Sequence, residues 1–371
     1  MNIRRVDRMR PLLQITCGMN AMAQPRVPSG RAHVRPRAMR RCHDPIVGFG
    51  RVRLIRASRR TVPDRLHPLR QAIGNPSMRT RRALAITGLG ILIVAAGGLV
   101  YAMIDPALLL NLLAPRSGIV VQKSVPYAAG GRRTLDIYSP ADATNAPVVV
   151  FFYGGSWQRG QKETFRFVAA TLASRGVVAA VPDYTLYPDG KFPTFLEDGA
   201  AAVAWAKANA ARFGGDARRV VLMGHSAGAH IAAMLALDAR WLGSHGLDPR
   251  KDVAGLVGLA GPYDFLPIKD PVIKVIFASD EPEKTQPITF VAGGEAPTFL
   301  GFAPDDVTVR PGNSERLAAK LKAHGASVAL TSYPRTNHVS ILGAISPLLS
   351  FLAPVTADVS AFIASTAPSA R

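Results

Sequence analysis

The chain has no cysteine beyond Cys42, and its two cysteines are Cys17 and Cys42. Everything after Met78 therefore lacks a disulfide, a thiolate nucleophile and a cysteine-based metal site. Lysine is missing before Lys123 and glutamate before Glu163. Aromatic residues are scarce at the start, with Phe49 alone in residues 1–77. What fills this region is arginine. Residues 1–82 hold 20 Arg against 3 Asp, so most of the net charge of +20 sits in the first quarter of the 371 residues. An Arg- and Pro-rich run with little apolar periodicity does not build a packed core. A nucleic-acid-binding arm would draw on stacking aromatics, which the stretch lacks. Residues 1–77 read as a disordered basic extension, or as sequence upstream of a true start at Met78. No nucleic-acid partner is expected, because the rest of the chain is close to neutral.

Charge is then absent from Ala83 to Ile104. These 22 apolar residues are enough to cross a bilayer core as a helix. Residues 78–104 read as a signal peptide or a membrane anchor, with a buried helix as the third reading. Arg79, Arg81 and Arg82 precede the apolar run and Asp105 follows it. The positive-inside rule puts the N-terminus in the cytoplasm and the remainder outside, periplasmic or extracellular. Membrane association through residues 83–104 is therefore expected. The continuing run Leu108-Leu109-Leu110-Asn111-Leu112-Leu113 keeps the next segment near the membrane surface.

Residues 118–365 are long enough for one domain with a sizeable core. Short apolar or β-branched runs at 133–138, 147–153, 177–182, 219–223, 254–259, 297–302 and 327–332 predict strands. Helical stretches at 164–175, 193–213, 227–238, 313–324 and around 345–364 separate them. Alternation of this kind predicts an α/β fold, a mostly parallel central sheet with helices on both faces. Ligands bind such sheets at the carboxyl ends of the strands.

Gly224-His225-Ser226-Ala227-Gly228 falls at such an end, between the apolar run 219–223 and a small-residue helix. Strand, tight turn with Ser at its apex, then helix is the setting of a G-x-S-x-G nucleophile elbow. A Gly-rich turn between a buried strand and helix is the plainer alternative, so the surrounding residues decide. A serine nucleophile needs a base, a group that orients the base, and donors for an oxyanion. His338 follows the strand-like 328–331 and is the candidate base. His230 lies one turn into the helix, pointing away from the elbow. His245 sits in a polar loop, and His324 reads as a helix C-cap. His225, next to the nucleophile in sequence, is expected to face elsewhere. Asp306 follows the penultimate strand and is the candidate orienting acid, with Asp305 as its rival. In the segment that follows, Val309 is expected to fold inward, and Asn313 or Ser314 to cap the next helix. Upstream, Gly154 and Gly155 follow the strand 147–151, and adjacent glycines there expose backbone N–H groups. Gly154, Gly155 and Ser156, together with Ala227, form the expected oxyanion hole. Phe265, Ile276 and Phe277 suggest either an apolar acyl site or plain core.

These residues resemble the α/β-hydrolase superfamily. More narrowly they resemble the carboxylesterase and hormone-sensitive-lipase-like group, including the bacterial feruloyl-esterase-like domains. The resemblance covers about residues 118–365. It rests on Tyr153-Gly154-Gly155-Ser156-Trp157 against His-Gly-Gly-x-Trp, then Pro182-Asp183-Tyr184, the elbow, Gly261-Pro262-Tyr263-Asp264, the Asp306 segment and His338. Tyr153 stands where the family usually has a His that helps to fix the oxyanion loop. By the resemblance, Asp183 ties that loop down rather than acting as a base. The expectation is a serine carboxylic-ester hydrolase for small-molecule esters of short to medium acyl chains, using an acyl-enzyme and no metal or organic cofactor. An amide or peptide hydrolase with the same triad, and a catalytically inactive binding domain, are the alternatives.

Overall fold

The computed structural model describes residues 106–368, together with residues 78, 80, 83–90, 92 and 97. The basic stretch 1–77 and much of the apolar segment 83–104 lie outside the described residues. Residues 83–90 are helical. Among the described residues no helix is long and apolar enough to cross a membrane. The anchor and signal readings of 78–104 therefore stay with the sequence.

Helix α1 (Pro106–Leu112) leads into β1 (Ile119–Pro126) and β2 (Thr134–Pro140). Next come β3 (Ala146–Phe152), α2 (Arg166–Ala173), β4 (Val178–Pro182), α3 (Thr194–Asn209), β5 (Gly215–His225) and α4 (Ala227–Leu237). The short helices α5 (Ala239–Gly243) and α6 (Pro249–Asp252) precede β6 (Gly255–Leu259). After α7 (Pro271–Ile276) follow β7 (Thr298–Phe302), α8 (Gly312–Ala323), β8 (Val328–Ser332), α9 (Ser340–Gly343) and α10 (Val355–Ser365). Among the described residues, the strands form one eight-stranded sheet in the order β1-β2-β4-β3-β5-β6-β7-β8. β2 runs antiparallel to both β1 and β4, and the other pairings are parallel.

Burial follows from this layout. A parallel sheet covered on both faces needs strands that are apolar throughout. β4, β6 and β7 are buried along their whole lengths, and β3 at all but one position. The edges differ: β1 is exposed at most positions, and β8 has no residue in the fully buried class. Every residue of α4 is buried, as its Ala, Ile, Leu and Met content requires. Every strand expected from the sequence is present within a few residues. β1 was not among them, because its apolar run stops after Ile119-Val120-Val121 and the exposed edge continues with Gln122, Lys123 and Ser124.

Candidate active site

Four loops converge at the carboxyl edge of the parallel strands. They follow β3, β5, β7 and β8, and they carry Tyr153–Trp157, Ser226, Asp306 and His338. Ser226 sits between β5 and α4 with φ 53° and ψ −124°. That left-handed conformation costs a non-glycine residue roughly 1–3 kcal/mol. It persists because both neighbouring elements are buried and because the Ser226 N–H donates to the Leu259 carbonyl at 3.0 Å. The turn is tight enough that a Cβ on Gly228 would collide with the Phe152 carbonyl. Only glycine lets α4 start this close to the end of β3.

The Ser226 hydroxyl lies 2.9 Å from His338 Nε2. His338 Nδ1 lies 2.8 Å from Asp306 Oδ2. The other Asp306 oxygen accepts the backbone N–H groups of Thr308 and Val309, each at 2.9 Å. Burial pushes the Asp306 carboxyl up, but the His338 and backbone hydrogen bonds outweigh it and hold the carboxyl below its ordinary range. An anion at Asp306 selects the tautomer with the proton on Nδ1, which leaves Nε2 free to accept from Ser226. Asp305, the rival acid, is exposed. The His338 loop is set by its own polar residues. Asn337 Oδ1 accepts from Val339 and Ser340, and Thr336 Oγ1 donates to the Tyr333 carbonyl.

The loop after β3 bends through three consecutive positive φ values: 137° at Gly155, 55° at Ser156 and 57° at Trp157. A Cβ on Gly154 would come within 2.9 Å of the Ser226 Cβ, so the loop lies directly against Ser226. Among the described residues the N–H groups of Gly155, Ser156 and Ala227 donate to no protein acceptor. They are available to an oxyanion beside Ser226. The loop is fastened through Tyr153. Its phenol is buried and donates to Asp183 Oδ1 at 2.6 Å, and it accepts from Arg132 at 3.0 Å. Asp183 also accepts from the Lys162 backbone at 2.9 Å and from its ammonium at 3.1 Å. Tyr184 donates to the Tyr153 carbonyl at 2.8 Å. Tyr153 thus performs locally the fixing expected of a His at this position. Tyr153→Phe is expected to destabilise the fold by about 1–2 kcal/mol, because Asp183 and Arg132 lose a buried partner. It is also expected to lower kcat/KM by roughly 3- to 10-fold as the loop loosens. Chemical denaturation and steady-state kinetics measure the two effects.

Four expectations require correction or a choice. His225 does not face away from the site. Its Nε2 donates to the His338 carbonyl at 2.7 Å, and the two rings lie 5.2 Å apart. Burial, then the nearby His338, lower the His225 pKa to about 4, so this ring is a neutral strut. No sequence signal finds this contact, because the partner is a backbone atom 113 residues away. Asn313 and Ser314 do not cap α8. Instead Asn313 Oδ1 accepts from the backbone of Tyr263 and Asp264, each at 2.9 Å. Val309 is half-buried and contributes to the site through its N–H. Between acyl wall and core, Ile276 and Phe277 are core: Phe277 packs edge-on against Trp157 at 4.7 Å, with half-buried Phe265 stacked at 6.2 Å. His230 is buried one turn into α4, where its Nε2 donates to the Thr285 carbonyl and its ring packs edge-on against Trp157 at 5.3 Å. His324 caps α8 as expected through its Nδ1. Among the described residues no group of three or more His, Cys, Asp and Glu side chains is placed to hold a metal ion.

The BD-FAE family model matches residues 135–321, half of the chain. A probable isoprenylcysteine alpha-carbonyl methylesterase of Oryza sativa subsp. japonica is 31% identical over 244 residues, covering 60% of this chain and 57% of that protein. The chain therefore spans little more than half the length of this curated relative. A kynurenine formamidase of Salmo salar is 27% identical over 228 residues, covering 59% of this chain and 75% of its own. Among solved structures, the apo form of Thermogutta terrifontis esterase 2 superposes with a TM-score of 0.57 at 23% identity. It covers 68% of this chain and 97% of its own. The shared architecture is the α/β-hydrolase fold.

Proposed function

Because the chain belongs to the BD-FAE family, we propose that it is a serine carboxylic-ester hydrolase acting on small-molecule esters. The observation that supports this reading most is the unbroken hydrogen-bond chain from the Ser226 hydroxyl through His338 to Asp306. Ser226 Oγ attacks the ester carbonyl carbon while His338 Nε2 takes its proton. Asp306 stabilises the imidazolium that forms. The carbonyl oxygen becomes an oxyanion held by the N–H groups of Gly155, Ser156 and Ala227. His338 returns the proton to the leaving alkoxide, and the alcohol departs from the acyl-enzyme. Water, deprotonated by His338, then releases the acid and restores the Ser226 hydroxyl. Short to medium acyl chains fit best, since the connection between β6 and β7 carries no helix longer than the six-residue α7. The uncharged run 83–104 with its flanking arginines supports a tether or an export signal, which would place this chemistry outside the cytoplasm.

A second reading, hydrolysis of an amide, is favoured by the likeness to a kynurenine formamidase. The triad serves both leaving groups. Labelling with a fluorophosphonate probe followed by peptide mass spectrometry tests the nucleophile, and the expected result is one adduct on the peptide containing Ser226. No adduct on folded protein would favour the inactive binding domain instead. Parallel assays with aryl acetates, aryl butyrates and formanilides separate ester from amide preference, and the esters are expected to turn over faster.

A further inference from the structure

The side of the domain that carries α1 and β1 has features that ester hydrolysis does not use. Helix α1 is fixed to the fold by Asn111. Its amide donates to the carbonyls of Glu163 at 3.1 Å and Thr164 at 3.0 Å, and its Oδ1 accepts from the Phe167 N–H at 2.9 Å. Leu110 is buried beneath the helix. Yet Leu109, Leu112 and Leu113 are 38%, 55% and 53% exposed. Since Asn111 holds the helix, these leucines are presented to the surroundings rather than frayed from the core.

A groove of about 230 Å³ opens beside them, between β1, β2 and α2. Ile119, Val121 and Tyr138 give it an apolar lining. Arg116, Lys123 and Arg166 line it as well. Ile119, Val121 and Lys123 alternate along β1 and so share one face of this edge strand. Among the described residues none of the three cations forms an ion pair, and the nearby Glu163 is held by Lys162. The groove is smaller than the roughly 300–1,000 Å³ of sites that enclose a whole small molecule. It suits a phosphate with the few methylenes beside it. Arg116 donates to the Leu112 carbonyl at 3.3 Å, which sets it beside the exposed leucines. Exposed leucines next to cations without an ion pair are what an interfacial surface requires, with apolar side chains at the acyl boundary and cations at the phosphates.

We propose that this surface docks the domain on a bilayer containing anionic phospholipid. Arg116, Lys123 and Arg166 meet lipid phosphate, while Leu109, Leu112 and Leu113 enter the acyl boundary. The docking is a property of the folded domain and holds whether or not residues 83–104 span the membrane.

The test uses the full chain with Cys17→Ser and Cys42→Ser, carrying an environment-sensitive fluorophore at Leu112→Cys. Lys322→Cys in α8, near the opposite edge of the sheet, is the control position. With phosphatidylcholine vesicles containing phosphatidylglycerol, the Leu112→Cys emission is expected to shift to the blue while the Lys322→Cys emission does not. The shift is expected to be lost in Arg116→Gln/Lys123→Gln/Arg166→Gln and at high salt, with aryl-ester turnover unchanged. Equal emission at both positions, in protein that floats with the vesicles, overturns the docking and leaves the tether intact. An equal shift with pure phosphatidylcholine overturns the headgroup recognition. The same shift with inorganic phosphate and no vesicles overturns the bilayer in favour of a soluble anion.

Discussion

Replacing Ser226 by Ala is expected to reduce kcat on an aryl ester by roughly 10⁴- to 10⁶-fold, since loss of a triad nucleophile removes nearly all that the triad contributes. The residual rate comes from substrate binding and from the N–H groups of Gly155, Ser156 and Ala227, which the substitution leaves in place. The fold should hold. Ser226 is buried, but its hydroxyl makes one side-chain hydrogen bond, to the half-buried His338. The backbone bond from Ser226 to Leu259 does not involve the hydroxyl. The thermal midpoint is expected to move by no more than about 4 °C, equivalent to about 1 kcal/mol in a domain of this size. Turnover and thermal melting of one purified sample check both statements. Near-wild-type turnover in that sample would remove Ser226 from the mechanism.

Asp306→Asn is expected to lower kcat/KM near neutral pH by about 10⁴-fold, with little change in shape at the site. The reason is tautomeric. One Asp306 oxygen already accepts from Thr308 and Val309. An asparagine satisfies those donors only with its carbonyl oxygen, which turns its NH₂ toward His338 Nδ1. That nitrogen must then accept, the proton moves to Nε2, and the imidazole can no longer take the Ser226 proton. Because the native carboxyl is held below its ordinary range, Asp306 stays ionised through neutral and mildly acidic solution. Its contribution to stability is therefore present above the ordinary carboxylate pKa and is lost as pH falls through the lowered value. The comparison variant Asp305→Asn, at an exposed position, is expected to stay within about twofold of native activity. A pH profile of kcat/KM for the three proteins measures the effect, and equal losses at 305 and 306 would contradict the assignment.

Much of this site was legible in the chain because its parts are local. An elbow is five residues long, and the glycines that make it possible are steric requirements of one turn. The order Ser226, Asp306, His338 could be read because each follows a short apolar or β-branched run. Two of these strands are buried where the residue leaves them, and the third, β8, shows the run Val328-Ala329-Leu330 although none of it is fully buried. Asp306 could be favoured over Asp305 but not separated from it, since adjacent carboxylates differ only in which way the backbone turns. The role of Tyr153 could not be derived from the chain either. Its value depends on Asp183, Arg132 and Lys162, which the fold gathers from three other segments. His225 was misjudged for a related reason. Adjacency in sequence to Ser226 says that the two side chains diverge, but not that the second meets the backbone of a distant loop. Likewise Asn313 carries a capping residue's chemistry and spends it on another loop.

The strands that present Ser226, Asp306 and His338 differ in cover. Ser226 hangs from β5, an interior strand flanked by β3 and β6, whereas His338 hangs from β8, one of the two edge strands of the described sheet, paired on one side to β7. Proteins open locally where few buried contacts hold a segment, well before they unfold as a whole. His338 is therefore tied to the most weakly covered of the three strands and Ser226 to one of the best covered. Fraying at β8 would draw His338 away from a Ser226 that remains in its elbow, so the Ser226–His338 contact is expected to open before the fold as a whole does.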